Sequence, residues 1–318
     1  MNFNAIPDNF APIEGGLVYS FDCGSVLPVA DVKIINVATN EMQAVCRLRN
    51  LRFGSVDIAP YVRKMMNPTP ATGNRVIVDG TRSANVCIEV GGVRSAVRRY
   101  SLCPIGADPK LLTTMPLQRT IAAGESDELT FYAPEGGFLN VTEYFTDDCT
   151  NYEYEIAPSN EVQVFRLNTD DFNSDTYAVD VNVEIGGRVS TLCYYYVCRP
   201  AGARRLKWLS SCGSIESYTF PVCGAQRLKV DKSRIYGADG HRITGVEAER
   251  TLLLSSDYEP LDVITPIEEL LVAKQVWMET PNGTEPADVM STENVIACNG
   301  ELNAIKVEVR PQRREVRL

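Results

Sequence analysis

The sequence predicts a mainly all-β protein, with tandem immunoglobulin- or fibronectin-like β-sandwich modules and a C-terminal β-rich domain that contains one short helix. Three observations predict this fold class. Short segments rich in Val, Ile, Thr and Tyr alternate with polar residues and end at Gly, Pro, Asn or Asp. Two Gly-Gly pairs join such segments at the spacing of tight hairpins. Long amphipathic helical patterns are almost absent.

Seven segments show the strand pattern most clearly. They are residues 32–37, 75–78, 85–90, 93–102, 162–167, 178–185 and 188–198. Gly91-Gly92 joins the third segment to the fourth, and Gly186-Gly187 joins the sixth to the seventh. Because glycine readily adopts positive φ angles, each pair predicts a two-residue type I′ turn and therefore a β-hairpin.

The two hairpins have similar surroundings. Residues 86–107 read VCIEVGGVRSAVRRYSLCPIGA and residues 181–203 read VNVEIGGRVSTLCYYYVCRPAGA, with Gly91 and Gly186 separated by 95 positions. We interpret this likeness as two copies of one β module of about a hundred residues. The alternative is that hairpins with Gly-Gly turns resemble each other by chance.

These patterns predict four parts of the chain: an N-terminal arm (1–13), a first β-sandwich module (14–133), a second module (134–222) and a C-terminal domain (223–318). The C-terminal domain begins with a strand at residues 250–256 and a short helix at residues 266–273, with Pro266 in its first turn. A strand at residues 275–279, a turn at Asn282-Gly283 and strands at residues 294–297 and 304–310 complete it.

Composition excludes several classes of protein. The chain has 31 basic and 41 acidic residues and a formal charge of −10, which argues against a nucleic-acid-binding protein. No run of about eighteen apolar residues is present, so no membrane insertion is expected. The first residues contain no basic segment followed by an apolar one, so no secretory signal is expected. The ten cysteines are therefore expected to be mostly reduced and buried.

No residue set predicts catalysis, a cofactor or a metal centre. His241 is the only histidine and lies in a turn-like stretch, where a surface residue is expected rather than a general base. Cys193, Cys198, Cys212 and Cys223 lack a CxxC spacing, which favours separate buried thiols over a zinc site. The acidic residues of segment 168–177 suit either a calcium loop or a polar loop, and the polar loop is favoured.

Three consecutive tyrosines, Tyr194, Tyr195 and Tyr196, lie in a predicted strand. Because side chains alternate along a strand, one or two of them must point away from the core. Tyr194 and Tyr196 are therefore the candidate interaction surface, able to stack on a sugar or bind a protein. The alternative is that they pack across strands in a covered sheet.

Residues 204–222, RRLKWLSSCGSIESYTFPV, resemble a pattern of the form aRLxWLNxxGxxdxYTF. The pattern is found in structural proteins, often tail or tail-fibre-like, of phages and prophages that infect Bacteroidales. Residues 249–252, 260–261, 267–272, 276–280 and 302–309 resemble the following part of the same proteins. The chain departs from the pattern at Ser210, Ser211 and Cys212.

This resemblance implies a non-enzymatic virion protein of the tail or its tip, made in the host bacterial cytoplasm. Its expected partners are other tail proteins, further copies of itself and, during attachment, a host surface glycan or protein. The first alternative is a glycan-binding, adhesive surface protein of a gut bacterium. The second alternative is a hydrolase that acts on polysaccharide.

Overall fold

The computed structural model describes residues 1–73, 75–103, 110–170, 172–237, 240–281, 283–291, 296–312 and 316–317. Within them the all-β prediction is confirmed, since strands dominate and only two α-helices occur, α1 (Ala59–Met65) and α2 (Leu261–Val272). Two short 3-10 helices span Ile13–Gly15 and Gly80–Arg82. Helix α1 was not expected from the sequence, and α2 begins five residues before its predicted start, with Pro266 inside it.

The strands follow in chain order. They are β1 (Asn2–Ala5), β2 (Val18–Asn36), β3 (Glu41–Asp57), β4 (Val76–Val78), β5 (Ser83–Val90), β6 (Val93–Arg94), β7 (Arg98–Ser101), β8 (Lys110–Leu112), β9 (Gln118–Ala122), β10 (Ser126–Tyr132), β11 (Gly137–Phe145), β12 (Asp148–Ile156), β13 (Val162–Asn168), β14 (Thr176–Ile185), β15 (Arg188–Val197), β16 (Arg204–Leu209), β17 (Ile215–Phe220), β18 (Val222–Gly237), β19 (Gly240–Ser255), β20 (Val276–Thr280), β21 (Gly283–Val289), β22 (Ala297–Asn299), β23 (Leu302–Ala304), β24 (Lys306–Pro311) and β25 (Val316–Arg317).

The first sheet is organised around the long strand β2. Strand β3 pairs along one edge of β2, while β1 and β5 share its other edge, and β6 and β7 continue from β5. Alternate residues of β2 face the core, where they meet α1. The predicted strand 93–102 is interrupted at residues 95–97. The Ser95 N–H still donates to the Ile88 carbonyl at 2.9 Å, but the Ser95 hydroxyl accepts the Ile88 N–H at 3.1 Å.

The second and third sheets form a β-sandwich. The second sheet has the order β4-β13-β10-β8, and the third has the order β12-β11-β14-β15-β9, in which β9 runs parallel to β15. Their inner faces share one apolar core. Strand β10 pairs with β13 along its whole length, so the predicted boundary between residues 133 and 134 falls inside this sandwich.

The fourth sheet has the order β17-β16-β20-β21-β24-β19-β18, with β25 beside β19, and α2 covers its core face. Trp208 is fully buried in this core, together with Ile264 and Ile267 of α2. Strands β22 and β23 form a separate small hairpin. Asn282 of the predicted turn and residues 294–295 of the predicted strand lie outside the described residues.

The strand orders support the interpretation of a duplicated module. The first sheet contains the path β3-β2-β5-β6, and the third contains the path β12-β11-β14-β15, with a Gly-Gly turn after β5 and after β14. The φ angles are +56° and +80° at Gly91 and Gly92, and +56° and +71° at Gly186 and Gly187. Positive φ at both positions is what a type I′ turn requires.

Candidate functional site

A long two-stranded ribbon extends from the fourth sheet. Strands β18 and β19 pair from Val222 with Ser255 at the root to Gly237 with Gly240 near the tip. We define the ribbon as residues 228–237 and 240–250. Strand β18 occupies one edge of β19. Along the other edge of β19, β24 pairs only with residues 252–255, and β25 pairs with Glu247 and Ala248. A two-stranded hairpin is at best marginally stable in water, so the ribbon is suited to contact another surface.

The two faces of the ribbon differ in chemistry. Cross-strand partners share a face, so the register assigns every residue to a side. The first side, which we call the basic face, contains Leu228, Val230, Lys232, Arg234, Tyr236, His241, Ile243, Val246, Ala248 and Arg250. None of these ten residues is acidic. Leu228 is 57% exposed and Tyr236 is 80% exposed, so large apolar groups of this face meet solvent.

The opposite face carries charges of both signs. It contains Lys229, Asp231, Ser233, Ile235, Arg242, Gly245, Glu247 and Glu249. Lys229 and Asp231 form an ion pair at 3.3 Å. A bulge between Ser233 and Arg234 inserts Thr244 into β19 and changes the twist of the ribbon near its tip. The ribbon is therefore amphipathic, with one apolar and basic side.

His241 lies in β19 at the tip of this ribbon, and its ring lies 5.1 Å from the ring of Tyr236. The side chain is exposed, as the sequence predicts, but it belongs to a strand instead of a loop. The neighbouring residues 238–239 lie outside the described residues. The position of His241 makes it part of the basic face.

The tyrosine run is divided between the core and the surface. Tyr194 is only 1% exposed, and its hydroxyl donates to Asp127 Oδ2 at 2.8 Å. Tyr196 is half-buried and packs against Phe172. Tyr195 is 55% exposed. Even-numbered residues of β15 face the sandwich core, so Tyr194 is a core residue and Tyr195 is the tyrosine presented to solvent.

Tyr195 belongs to a solvent-facing side of the third sheet that we call the acidic face. Its members alternate with buried residues on four strands. They are Phe138, Asn140, Thr142, Tyr144, Cys149, Asn151, Glu153, Glu155, Ala178, Asp180, Asn182, Glu184, Val189, Thr191, Cys193, Tyr195 and Val197. Four of them are acidic and none is basic. Residues 110–197 have 4 basic and 15 acidic side chains, a net charge of −11, so this sandwich accounts for the acidity of the chain.

A buried ionic network joins the sandwich to the fourth sheet. Asp127 of β10 is paired with Arg119 at 2.8 Å and with Arg205 of β16 at 3.5 Å. Arg205 also meets Glu125 at 3.3 Å. Lys207 Nζ lies 3.4 Å from Glu279, which also accepts the Ser126 hydroxyl at 2.6 Å. Charges this deeply buried require partners, and here oppositely charged groups from the two units supply them.

Burial shifts the pKa values of the acidic and the basic groups in this network in opposite directions. Burial alone would raise the pKa of Asp127, but the charges of Arg119 and Arg205 lower it to about 2. Burial raises the pKa of Glu216 and lowers the pKa of Lys207. The residues of the network are far apart in the sequence, and no motif indicates their contact. In β10, which reads SDELTFY, the polar residues 126–128 are consecutive, so alternation gives no signal for the network.

Arg82 is a second buried cation that links separate units. It pairs with Asp79 at 2.7 Å and with Glu128 of β10. It also donates to the Thr130 hydroxyl at 3.0 Å and to the Gly213 carbonyl at 2.7 Å. One fully buried guanidinium thus connects the segment before β5, the second sheet and the turn between β16 and β17.

A cleft of about 950 Å³ lies between α1 and α2. Its polar lining includes Arg63, Ser211 and Glu269. Arg63 already pairs with Glu14 at 2.5 Å, and Glu269 accepts the Ser211 hydroxyl at 2.8 Å. Since these groups are engaged with each other, the cleft offers a weaker case for a binding site than the ribbon.

The remaining sequence-based candidates are dispersed. All ten cysteines are free, but the prediction that most of them are buried is wrong. Cys87 and Cys103 are buried, five others are partly exposed, and Cys149, Cys198 and Cys298 are exposed. In segment 168–177 the Asn173 N–H donates to Glu143 at 2.6 Å, as in a polar loop, while Asp171 lies outside the described residues. Among the residues that the structure describes, no group of three or more His, Cys, Asp or Glu side chains could hold a metal ion. Within the described residues, no helix is long and apolar enough to cross a membrane.

No family model matches this chain, and no curated protein matches it. Among solved structures, the full extracellular region of plexin A4 is similar at a TM-score of 0.22 and 8% identity. The match covers 97% of this chain and 39% of that one, so the chain spans about two fifths of the plexin structure. A TM-score this low carries no argument about fold or function.

Proposed function

We propose that the protein is a non-enzymatic structural component of a phage virion, located in the tail or its tip. Its work is assembly through contacts with other tail proteins and with copies of itself. The observation that carries this proposal is the ribbon of β18 and β19, which presents large apolar side chains to solvent on a hairpin that the short strand β25 flanks at Glu247 and Ala248.

The arrangement of the rest of the chain suits this role. A tail protein must hold its contact surfaces at fixed relative positions, and buried ionic networks connect the sandwich to the fourth sheet. Residues 204–309, which resemble the phage proteins, contribute all seven strands of the path that carries the ribbon. The segments with the resemblance therefore lie mainly in the sheet from which the ribbon extends.

Particle association tests the proposal. Induced prophage particles or virions are purified on a density gradient, and the protein is quantified in the particle fraction by mass spectrometry. We expect several copies per particle. Protein found only in the free cytosolic fraction would reject the proposal.

A ribbon-deletion variant links the result to the structure. Arg227 and Thr251 are directly opposed, so Asn-Gly in place of residues 228–250 leaves a two-residue hairpin. We expect this variant to retain the wild-type near-UV circular dichroism of its aromatic core and to be lost from particles. The matched control is Arg242→Glu, which changes the charge on the opposite face and should still enter particles.

The exposed Tyr195 favours a second candidate function, glycan binding by an adhesive surface protein. Tyr195 and Phe138, which is also exposed, lie on the same face of the third sheet, where their rings can stack on sugars. A glycan array tests this alternative. Saturable binding that Tyr195→Ala abolishes and Tyr258→Ala, a change at an exposed tyrosine outside this sheet, preserves would support it.

A further inference from the structure

The chain carries two uncovered surfaces whose chemistries are opposite. The basic face of the ribbon has Lys232, Arg234 and Arg250 among apolar side chains and no acidic residue. The acidic face of the third sheet has Glu153, Glu155, Asp180 and Glu184 beside exposed aromatic rings and no basic residue. Each is a β-sheet surface, and sheets pack face to face at about 10 Å with their side chains interdigitated.

Both surfaces remain exposed within one chain. Tyr236 is 80% and Tyr195 is 55% exposed, so neither face covers the other in the folded monomer. A second copy of the chain offers both complementary surfaces at once. The occupant that these charges select is therefore another copy, with the ribbon of one copy lying on the third sheet of the next.

We propose that copies of this protein associate head to tail, with the basic face of each ribbon packed on the acidic face of the following copy. This inference rests on the proposed structural role and names the partner of the ribbon. Apolar groups such as Leu228 and Tyr236 lie against Phe138 and Tyr195, and the carboxylates of the sheet surround Lys232 and Arg234. Because the two contacting surfaces differ, the contact is heterologous and repeats, giving a ring or an open filament.

Charge reversal tests the contact. The ribbon variant is Lys232→Glu with Arg234→Glu, and the sheet variant is Glu155→Lys with Glu184→Lys, two residues that flank Phe138 on neighbouring strands. All four residues lie on solvent-facing sides of strands, so the fold should tolerate both variants. Analytical ultracentrifugation of the full chain measures the association constant. We expect each variant alone to associate at least about tenfold more weakly than wild type, since like charges then face each other across the contact.

An equimolar mixture of the two variants supplies the decisive measurement. In the mixture, the acidic ribbon of one variant meets the basic sheet of the other, and the unaltered surfaces also remain complementary. We expect the mixture to recover association, and raised NaCl to weaken association of the wild type. The matched control, Lys229→Glu with Arg242→Glu, makes the same charge change on the opposite ribbon face and should associate as wild type does.

Three results would overturn the inference: a wild-type chain that stays monomeric throughout the titration, a control that loses as much association as the ribbon variant, or a mixture that does not recover. Particle purification separates this outcome from failure of the proposed function. Protein present in particles but insensitive to the charge reversals refutes the head-to-tail contact alone. Charge-dependent association of a protein absent from particles supports the contact and refutes the virion role.

Discussion

Asp127→Asn tests whether the buried ionic network holds the sandwich and the fourth sheet together. The change keeps the shape of the side chain and removes the negative charge between Arg119 and Arg205. The ordinary pKa of 3.8 falls to about 2 in the folded protein, because the attraction of the two guanidinium groups outweighs the effect of burial. That difference corresponds to about 2 kcal/mol of stability at neutral pH. Loss of one partner from a buried ion pair costs about 3–5 kcal/mol.

We therefore expect Asp127→Asn to lower the free energy of unfolding by about 2–5 kcal/mol at pH 7. The pH dependence has a defined sign. Because the folded pKa is depressed, the contribution of Asp127 is complete above the unfolded pKa of 3.8 and is lost as the pH falls towards 2. The difference between wild type and variant should consequently shrink over this interval.

Urea titrations followed by tryptophan fluorescence provide the assay, since Trp208 lies in the core of the fourth sheet. Asp31→Asn is the matched control, because Asp31 pairs with Arg47 on an exposed surface, where water and salt screen the pair and its removal should leave the urea midpoint nearly unchanged. Equal urea midpoints for wild type and Asp127→Asn at pH 7 would refute the reasoning. A difference that does not change between pH 5 and pH 2 would also refute it.

Three further predictions concern single features of the fold. Tyr194→Phe removes the hydroxyl that donates to Asp127 and should lower the free energy of unfolding by about 1–3 kcal/mol in urea titrations, whereas Tyr195→Phe should change it by less than about 0.5 kcal/mol. Gly213→Ala should lower the melting temperature in calorimetry by several degrees, because Gly213 has a φ of +78° and an added Cβ would lie 2.7 Å from Cys103 Sγ; Gly92→Ala, with open space at the Cβ position, should cost less. Limited proteolysis of the isolated protein should cut first within residues 228–250, and the same bonds should be protected in the assembled form; initial cleavage in β10 would contradict the description of the ribbon.

Local patterns in the sequence were sufficient for several strands and for the two Gly-Gly turns. The alternation in residues 178–185 predicts a strand with one buried side, and β14 has Val179, Val181 and Val183 in the core. The Gly-Gly pairs predict hairpins because the required backbone angles are nearly specific to glycine. Strand partners were not predictable in the same way. The pairing of β10 with β13 depends on which faces can be covered together, and no local pattern reports that.

The candidate surfaces show the same limit at the level of single residues. Tyr194 and Tyr195 are consecutive tyrosines in one run, so residue type does not distinguish them. Their exposure depends on whether the even- or the odd-numbered residues of β15 face the core. Leu192 and Tyr194 face inward because the partner sheet lies on that side. The sequence analysis predicted no strand between residues 223 and 249, so it missed the ribbon, whose separation from the sheet follows from where β24 stops pairing with β19.

Burial on both sides of β10 explains why the polar residues of this strand form ion pairs. Every residue from Ser126 to Tyr132 is buried, although only one side of the strand faces the sandwich core. Its other side meets the fourth sheet, where Ser126 contacts Glu279 and Lys207, and it meets Arg82 through Glu128 and Thr130. The charged and polar groups on this strand are satisfied where complementary groups lie opposite them, so they favour the arrangement of neighbouring strands that supplies those groups. The ribbon and the acidic face are attached to units joined in this specific way, so their relative orientation is set by the fold. A repeating head-to-tail contact needs that fixed orientation, because a variable angle between the two surfaces would give neither a closed ring nor a regular filament.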